Sequence, residues 1–126
     1  MRFIPTKLHG ILDYLYVLVL FFIPSIFHFN PDSAESMIID IVSSTVLAYS
    51  LFTKYELGVF KNIPMKVHLL FDCIIGIFLI VSPWLFGFAN KIYMPFLFFG
   101  LFAIVASLLS KTTSEDIKKS TYAPGK

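Results

Sequence analysis

Two apolar runs, each long enough to cross a bilayer, stand 59 residues apart in this chain and align without a gap. The later run, Val67 to Phe88, reads VHLLFDCIIGIFLIVSPWLFGF, and the earlier, Leu8 to Phe29, reads LHGILDYLYVLVLFFIPSIFHF. The shift carries His68 onto His9, Asp72 onto Asp13, Pro83 onto Pro24, Phe86 onto Phe27 and Phe88 onto Phe29. It also carries Lys66 onto Lys7 and Pro64 onto Pro5. A backbone inside hydrocarbon must satisfy its own polar groups, so runs of this kind cross a membrane as helices. The duplication then predicts a tandem repeat of membrane helices.

Composition agrees. Hydrophobic residues make up 57% of the 126 residues and charged ones only 14%, too few charges to cover a water-facing surface. The expected fold class is an all-α membrane protein with four transmembrane helices, forming a single domain over residues 1–126. Repeat 1 covers about residues 5–54 and repeat 2 about residues 64–113. The basic lead with Arg2 and Lys7 precedes an apolar stretch too long for a signal peptide, and no small-residue cleavage site follows it, so the run is expected to be retained.

Helix 1 is expected from about Lys7 to Phe29, roughly 34 Å at 1.5 Å per residue, with a kink at Pro24. Asn30-Pro31-Asp32-Ser33 makes a turn, and Ser33 with Glu35 and Ser36 suits the start of helix 2, about Ala34 to Phe52. Its Ser36, Asp40, Ser43, Ser44 and Ala48 recur at three- and four-residue steps and predict a small face packed on other helices, with the branched side toward lipid. Helix 3 is expected from about Met65 to Phe88, kinked near Pro83. Helix 4 follows the Ala89-Asn90-Lys91 turn, from about Ile92 to Ser110, with a small stripe of Gly100, Ala103, Ser107 and Ser110. Residues 111–126 read as a polar, mobile cytoplasmic tail.

Nine of the ten basic residues fall on one side of this arrangement and only Lys91 on the other. The positive-inside rule then places both termini in the cytoplasm, in the cell's inner membrane. Each repeat holds an even number of helices, so the two hairpins are expected to be parallel, about a pseudo-two-fold axis along the membrane normal.

The candidate polar site is His9, Asp13, His68 and Asp72. Residues four apart share a helix face, and a carboxylate within a membrane is costly unless paired. Two readings stay open: a polar clasp fixing helix packing, or a proton-handling or ligand-binding site between helices 1 and 3. Two imidazoles and two carboxylates suit zinc or iron, and two imidazoles suit haem. The sequence does not bring them together, so no metal, no cofactor and no catalytic residue is assigned from it. His28 and Asp40 are secondary candidates that could meet across the turn at residues 30–33. Ser82 is suited to a backbone group freed by Pro83, and Trp84 with Tyr93 to an aromatic interfacial belt. Glu56 and Glu115 are expected to pair with nearby lysines at the cytoplasmic ends of helices 2 and 4. The lone Cys73 reads as a small apolar residue. No phosphate loop, zinc motif or nucleic-acid patch is present.

With Ser82-Pro83-Trp84 behind His68 and Asp72, and with the duplication, residues 5 to 110 resemble the SPW-repeat family of small multi-pass membrane proteins. The first copy reads Ile23-Pro24-Ser25 and so lacks the Ser and Trp of the motif. The resemblance implies architecture and carries no activity with it. The expected role is structural or accessory, non-enzymatic, through helix packing or a partner. That partner is the lipid bilayer itself with a second copy or another membrane protein, and not nucleic acid. The alternative is a small proton-coupled transporter, or a ligand- or metal-binding membrane protein, working through the two His-x-x-x-Asp pairs.

Overall fold

A computed structural model describes residues 1–113; the tail expected beyond that point, with Glu115, Lys118, Lys119 and Lys126, lies outside the described residues. Four helices account for the fold: α1 (Thr6–Ile26), α2 (Ala34–Leu51), α3 (Met65–Leu85) and α4 (Met94–Leu109). The first three are long and apolar enough to cross a membrane. The fourth is as apolar but shorter, at 16 residues, about 24 Å of rise. Its start is fixed by Pro95, whose missing N–H suits the first turn. This is an all-α membrane protein.

α1 and α3 stop earlier than the apolar pattern predicts, each two residues beyond its proline. The break expected at Pro24 and Pro83 is thus the end of each helix. Both ends close in the same way. The Phe29 N–H donates to the Pro24 carbonyl at 2.8 Å, as the Phe88 N–H does to that of Pro83. The residue between, His28 or Gly87, takes a left-handed backbone with φ of 54° or 77°. This is the Schellman closure, in which glycine is at ease and a side chain is strained. His28 is therefore a chain terminator held at some cost. Replacing it with the glycine of the second repeat, His28→Gly, is expected to raise stability by about 1 kcal/mol, read as a higher denaturation midpoint in detergent.

The core lies between the four helices on the side of these turns. Leu20, Ile39, Val42, Leu79 and Phe96 are fully enclosed there, with the Phe88 ring tilted against Phe96, centres 4.9 Å apart. α2 departs in part from the expected packing. Ser36 and Ser43 are buried as expected, but Ile38, Ile39, Val42, Val46 and Tyr49 fill the rest of the buried face, while Asp40, Ser44 and Ala48 face outward. The interior needs volume, and branched side chains supply it. The stripe on α4 does face inward, with Gly100, Ser107 and Ser110 buried. Ser33 caps α2, accepting from the Ser36 N–H at 3.3 Å. Buried Glu35 meets Lys91 at 3.2 Å, so the one lysine at this end among the described residues ties one turn to the other.

At the opposite end the chain closes across the hairpins. The Lys111 N–H donates to the Ile4 carbonyl at 2.9 Å, and the Lys54 N–H to that of Ile63 at 2.7 Å. Arg2 adds a cationic cap to the end of α4, donating to the Ser107 and Ser110 carbonyls at 2.9 and 2.8 Å. The connection 52–64 folds inward rather than away: Tyr55 is buried with Met65 and Leu69, and Tyr14 donates to the Leu57 carbonyl at 2.8 Å.

Candidate functional site

His9, Asp13, His68 and Asp72 converge beneath that connection. Their ligand atoms all lie within 4.8 Å of one another, and none of the four residues is more than 7% exposed. The closest pairs run between the repeats. His9 Nε2 lies 2.9 Å from Asp72 Oδ2, and His68 Nε2 lies 3.0 Å from Asp13 Oδ2. The pairs within one helix are slightly longer, 3.2 Å for His9 with Asp13 and 3.3 Å for His68 with Asp72. Exchanging the repeats leaves this pattern unchanged.

Four further residues complete the cluster, and their hydrogens can be placed. Thr53 Oγ1 donates to the Tyr49 carbonyl and Ser110 Oγ to the Ala106 carbonyl, each at 2.6 Å. A hydroxyl has one hydrogen, so both oxygens are acceptors toward the imidazoles. His68 Nδ1 donates to Thr53 at 2.7 Å and His9 Nδ1 to Ser110 at 2.6 Å. Both Nε2 atoms therefore point into the centre. The carboxylates are held from outside: Tyr49 donates to Asp72 Oδ1 at 2.5 Å and Tyr55 to Asp13 Oδ2 at 3.1 Å. Burial, with the Asp13 carboxylate second, pushes the Tyr55 phenol above its ordinary value, so it remains a donor.

An imidazole already bearing hydrogen on Nδ1 offers the carboxylates a bare lone pair, unless positive charge also sits at Nε2. That charge is a second hydrogen on the ring or a cation between the groups. The centre is almost filled. A cavity of about 20 Å³ adjoins it, lined by His9, Asp13, Tyr16, Tyr49 and Asp72 with apolar neighbours, room for about one water.

The remaining candidates lie elsewhere. His28 and Asp40 are both exposed and line one open groove of about 690 Å³ at the turn end, with no hydrogen bond joining them among the described residues. Ser82 Oγ donates to the Leu79 carbonyl at 2.8 Å. That carbonyl is the one Pro83, lacking an N–H, leaves open. The Ser-Pro step is thus a local repair, and Ile23 in the first repeat has no hydroxyl to offer Leu20. Ser82→Ala leaves a buried acceptor unmet and is expected to cost about 1–3 kcal/mol, seen as a lower unfolding midpoint. Trp84, 58% exposed, packs beside Tyr93 with ring centres 5.7 Å apart, as an interfacial pair does. The Glu56 carboxylate accepts from the Thr6 hydroxyl at 2.7 and 3.0 Å. Cys73 Sγ lies 3.2 Å from Ser107 Oγ.

The family model of the SPW repeat domain matches residues 7–110. The chain belongs to the SPW-repeat family. No curated protein and no solved structure matches it. The matched span holds the His–Asp cluster, both proline-terminated helices and the Ser82-Pro83-Trp84 step. The SPW-repeat assignment thus covers every element described above except the N-terminal lead and the residues after Ser110.

Proposed function

We propose that this SPW-repeat protein is a structural or accessory protein of the inner membrane, whose polar centre fastens two helical hairpins into one rigid unit. The observation that carries this reading is the enclosure of the cluster. Four ionisable side chains, one pair from each repeat, close on one another, and hydroxyls from Tyr49, Thr53, Tyr55 and Ser110 hold their outer atoms. A conduit for protons or solutes needs water at such groups, and the adjoining space admits about one molecule. With a hydrogen on each Nε2, two imidazolium groups balance two carboxylates, and the centre is neutral as a whole.

In this reading the hairpins run parallel about an axis along the membrane normal. The cluster lies in the cytoplasmic half and both termini are inside. The split of basic residues supports that orientation, and the exchange of partners between the repeats supports the axis. Contact with a membrane partner, a second copy or another protein, falls to the outward faces. The Asp40, Ser44 and Ala48 stripe of α2 favours that role because small residues let helices approach.

The test is flux and sidedness together. In a Cys73→Ser background, Lys61→Cys is expected to react with an impermeant maleimide only from the cytoplasmic side, and Asn90→Cys only from the other. Liposomes carrying wild-type protein are expected to pass protons no faster than empty ones. A proton flux in wild type that Asp13→Asn/Asp72→Asn abolishes would replace the structural reading with the transport one.

A further inference from the structure

We propose that His9, Asp13, His68 and Asp72 form a closed four-ligand site for one divalent cation of the zinc type, seated at the joint between the two hairpins. This goes beyond the clasp, because two protons would hold the same four groups together.

The donor set comes first. Two neutral imidazoles and two carboxylates are borderline ligands suited to zinc and its neighbours, and one dication balances the two carboxylates. Spacing comes second. Ligands at about 2.0–2.2 Å from a tetrahedral centre are separated by about 3.3–3.6 Å. With Asp13 Oδ2 and Asp72 Oδ2 as the carboxylate ligands, three imidazole–carboxylate separations are 2.9, 3.0 and 3.3 Å, so these pairs need to part by only a few tenths of an ångström; His9 faces the other Asp13 oxygen, Oδ1, at 3.2 Å, and all four ligand atoms lie within 4.8 Å of one another.

Orientation is the third argument. A metal-bound histidine gives its other ring N–H to a fixed acceptor, which sets the tautomer and aims the free nitrogen. Thr53 and Ser110 do this for both imidazoles, and their own hydrogens are already committed to backbone carbonyls. Tyr49 and Tyr55 hold the carboxylates in the same manner.

The fourth observation is independent of the donor set. His68 is fully buried, and its Nε2 has no aligned hydrogen-bond partner although two carboxylates lie within 3.3 Å. A proton on that nitrogen would be poorly directed toward either oxygen. A cation at the centre makes no such demand on the angle to any one carboxylate. Four protein ligands with no open position mark a structural site rather than a catalytic one.

The experiment uses the full chain, purified in detergent without a polyhistidine tag, stripped with chelator and then titrated with Zn²⁺ or Co²⁺. Wild type is expected to bind about one equivalent per chain and to melt at a temperature that rises with free metal. Co²⁺ should give the intense visible absorption of a four-coordinate site, which Zn²⁺ erases. Thr53→Val keeps all four ligands and is expected to weaken binding about 10- to 100-fold. His68→Gln should abolish it, and His28→Ala should change nothing. A folded, stripped wild type that binds neither ion and keeps its melting temperature overturns the site. So does metal uptake that Thr53→Val and His68→Gln leave intact. Loss of stability in the cluster variants with no metal response in wild type would leave the clasp standing and the metal site refuted.

Discussion

Asp72→Ala is expected to lower the stability of the protein by about 3–5 kcal/mol, the cost of removing one member of a buried, hydrogen-bonded charge cluster. The substitution takes a partner from three groups: the Tyr49 hydroxyl, 2.5 Å away; His9 Nε2, 2.9 Å away; and His68, 3.3 Å away, the two imidazoles keeping only Asp13. None of them can turn to water, because the segment 52–64 lies over the site and Tyr55 is only 1% exposed. Equilibrium unfolding in mixed micelles, with excess chelator present, measures the loss free of any bound metal. Asp72→Asn keeps an acceptor for Tyr49 and should lose less.

The cross-repeat pairing makes a sharper demand. If the clasp couples the hairpins, Asp72→Ala and His9→Ala must be strongly non-additive, with a coupling of about 0.5–3 kcal/mol as for groups in one network. Asp72→Ala with Ser82→Ala should be additive, since Ser82 bonds only within its own helix. Additivity in the first cycle would mean that the contacts seen at 2.9 Å contribute little to holding the repeats together.

The four cluster residues were legible in the sequence because the repeat marks them twice and helical spacing puts each pair on one face. Their outer partners were not. Tyr49 and Thr53 stand in α2 and just past its end, where the duplication fades, and Tyr55 looks like part of an exposed connection. Ser110 caps α4 directly, whereas Thr53 stands one residue beyond the α2 cap. The matched pair is therefore 57 residues apart, and a shift of 59 misses it. The ends of α1 and α3 were hidden by apolar residues that continue through the turn: composition carries on past Phe27 and Phe86, but the helix does not, because the next residue, His28 or Gly87, takes a left-handed backbone. Of the small face of α2, Ser36 and Ser43 are buried as the pattern predicts, whereas Asp40, Ser44 and Ala48 were misassigned because small residues mark close approach, without saying which neighbour approaches.

Gly100→Ala should force the α3–α4 crossing apart, with a net loss of about 1–3 kcal/mol, although alanine alone favours a helix by about 1 kcal/mol over glycine. A Cβ built on Gly100 falls 2.6 Å from the Gly76 carbonyl oxygen and 2.6 Å from Ile80 Cγ1; one on Gly76 falls 2.6 Å from the Gly100 oxygen. A side chain at that distance could turn aside, but a helical carbonyl cannot, so α3 and α4 must part. Parting them disturbs the Ser107 hydroxyl, which donates to the Leu69 carbonyl at 2.7 Å two turns further along. The first hairpin carries Val17 at the position of Gly76, so the same substitution series there has no glycine to lose. The double variant Gly76→Ala/Gly100→Ala should cost less than the sum of the singles, because helices already separated by one methyl have room for the second. Thermal unfolding of the three variants decides the matter. A Gly100→Ala protein as stable as wild type would show that the helices adjust freely, and that the close crossing is not what holds α4 in place.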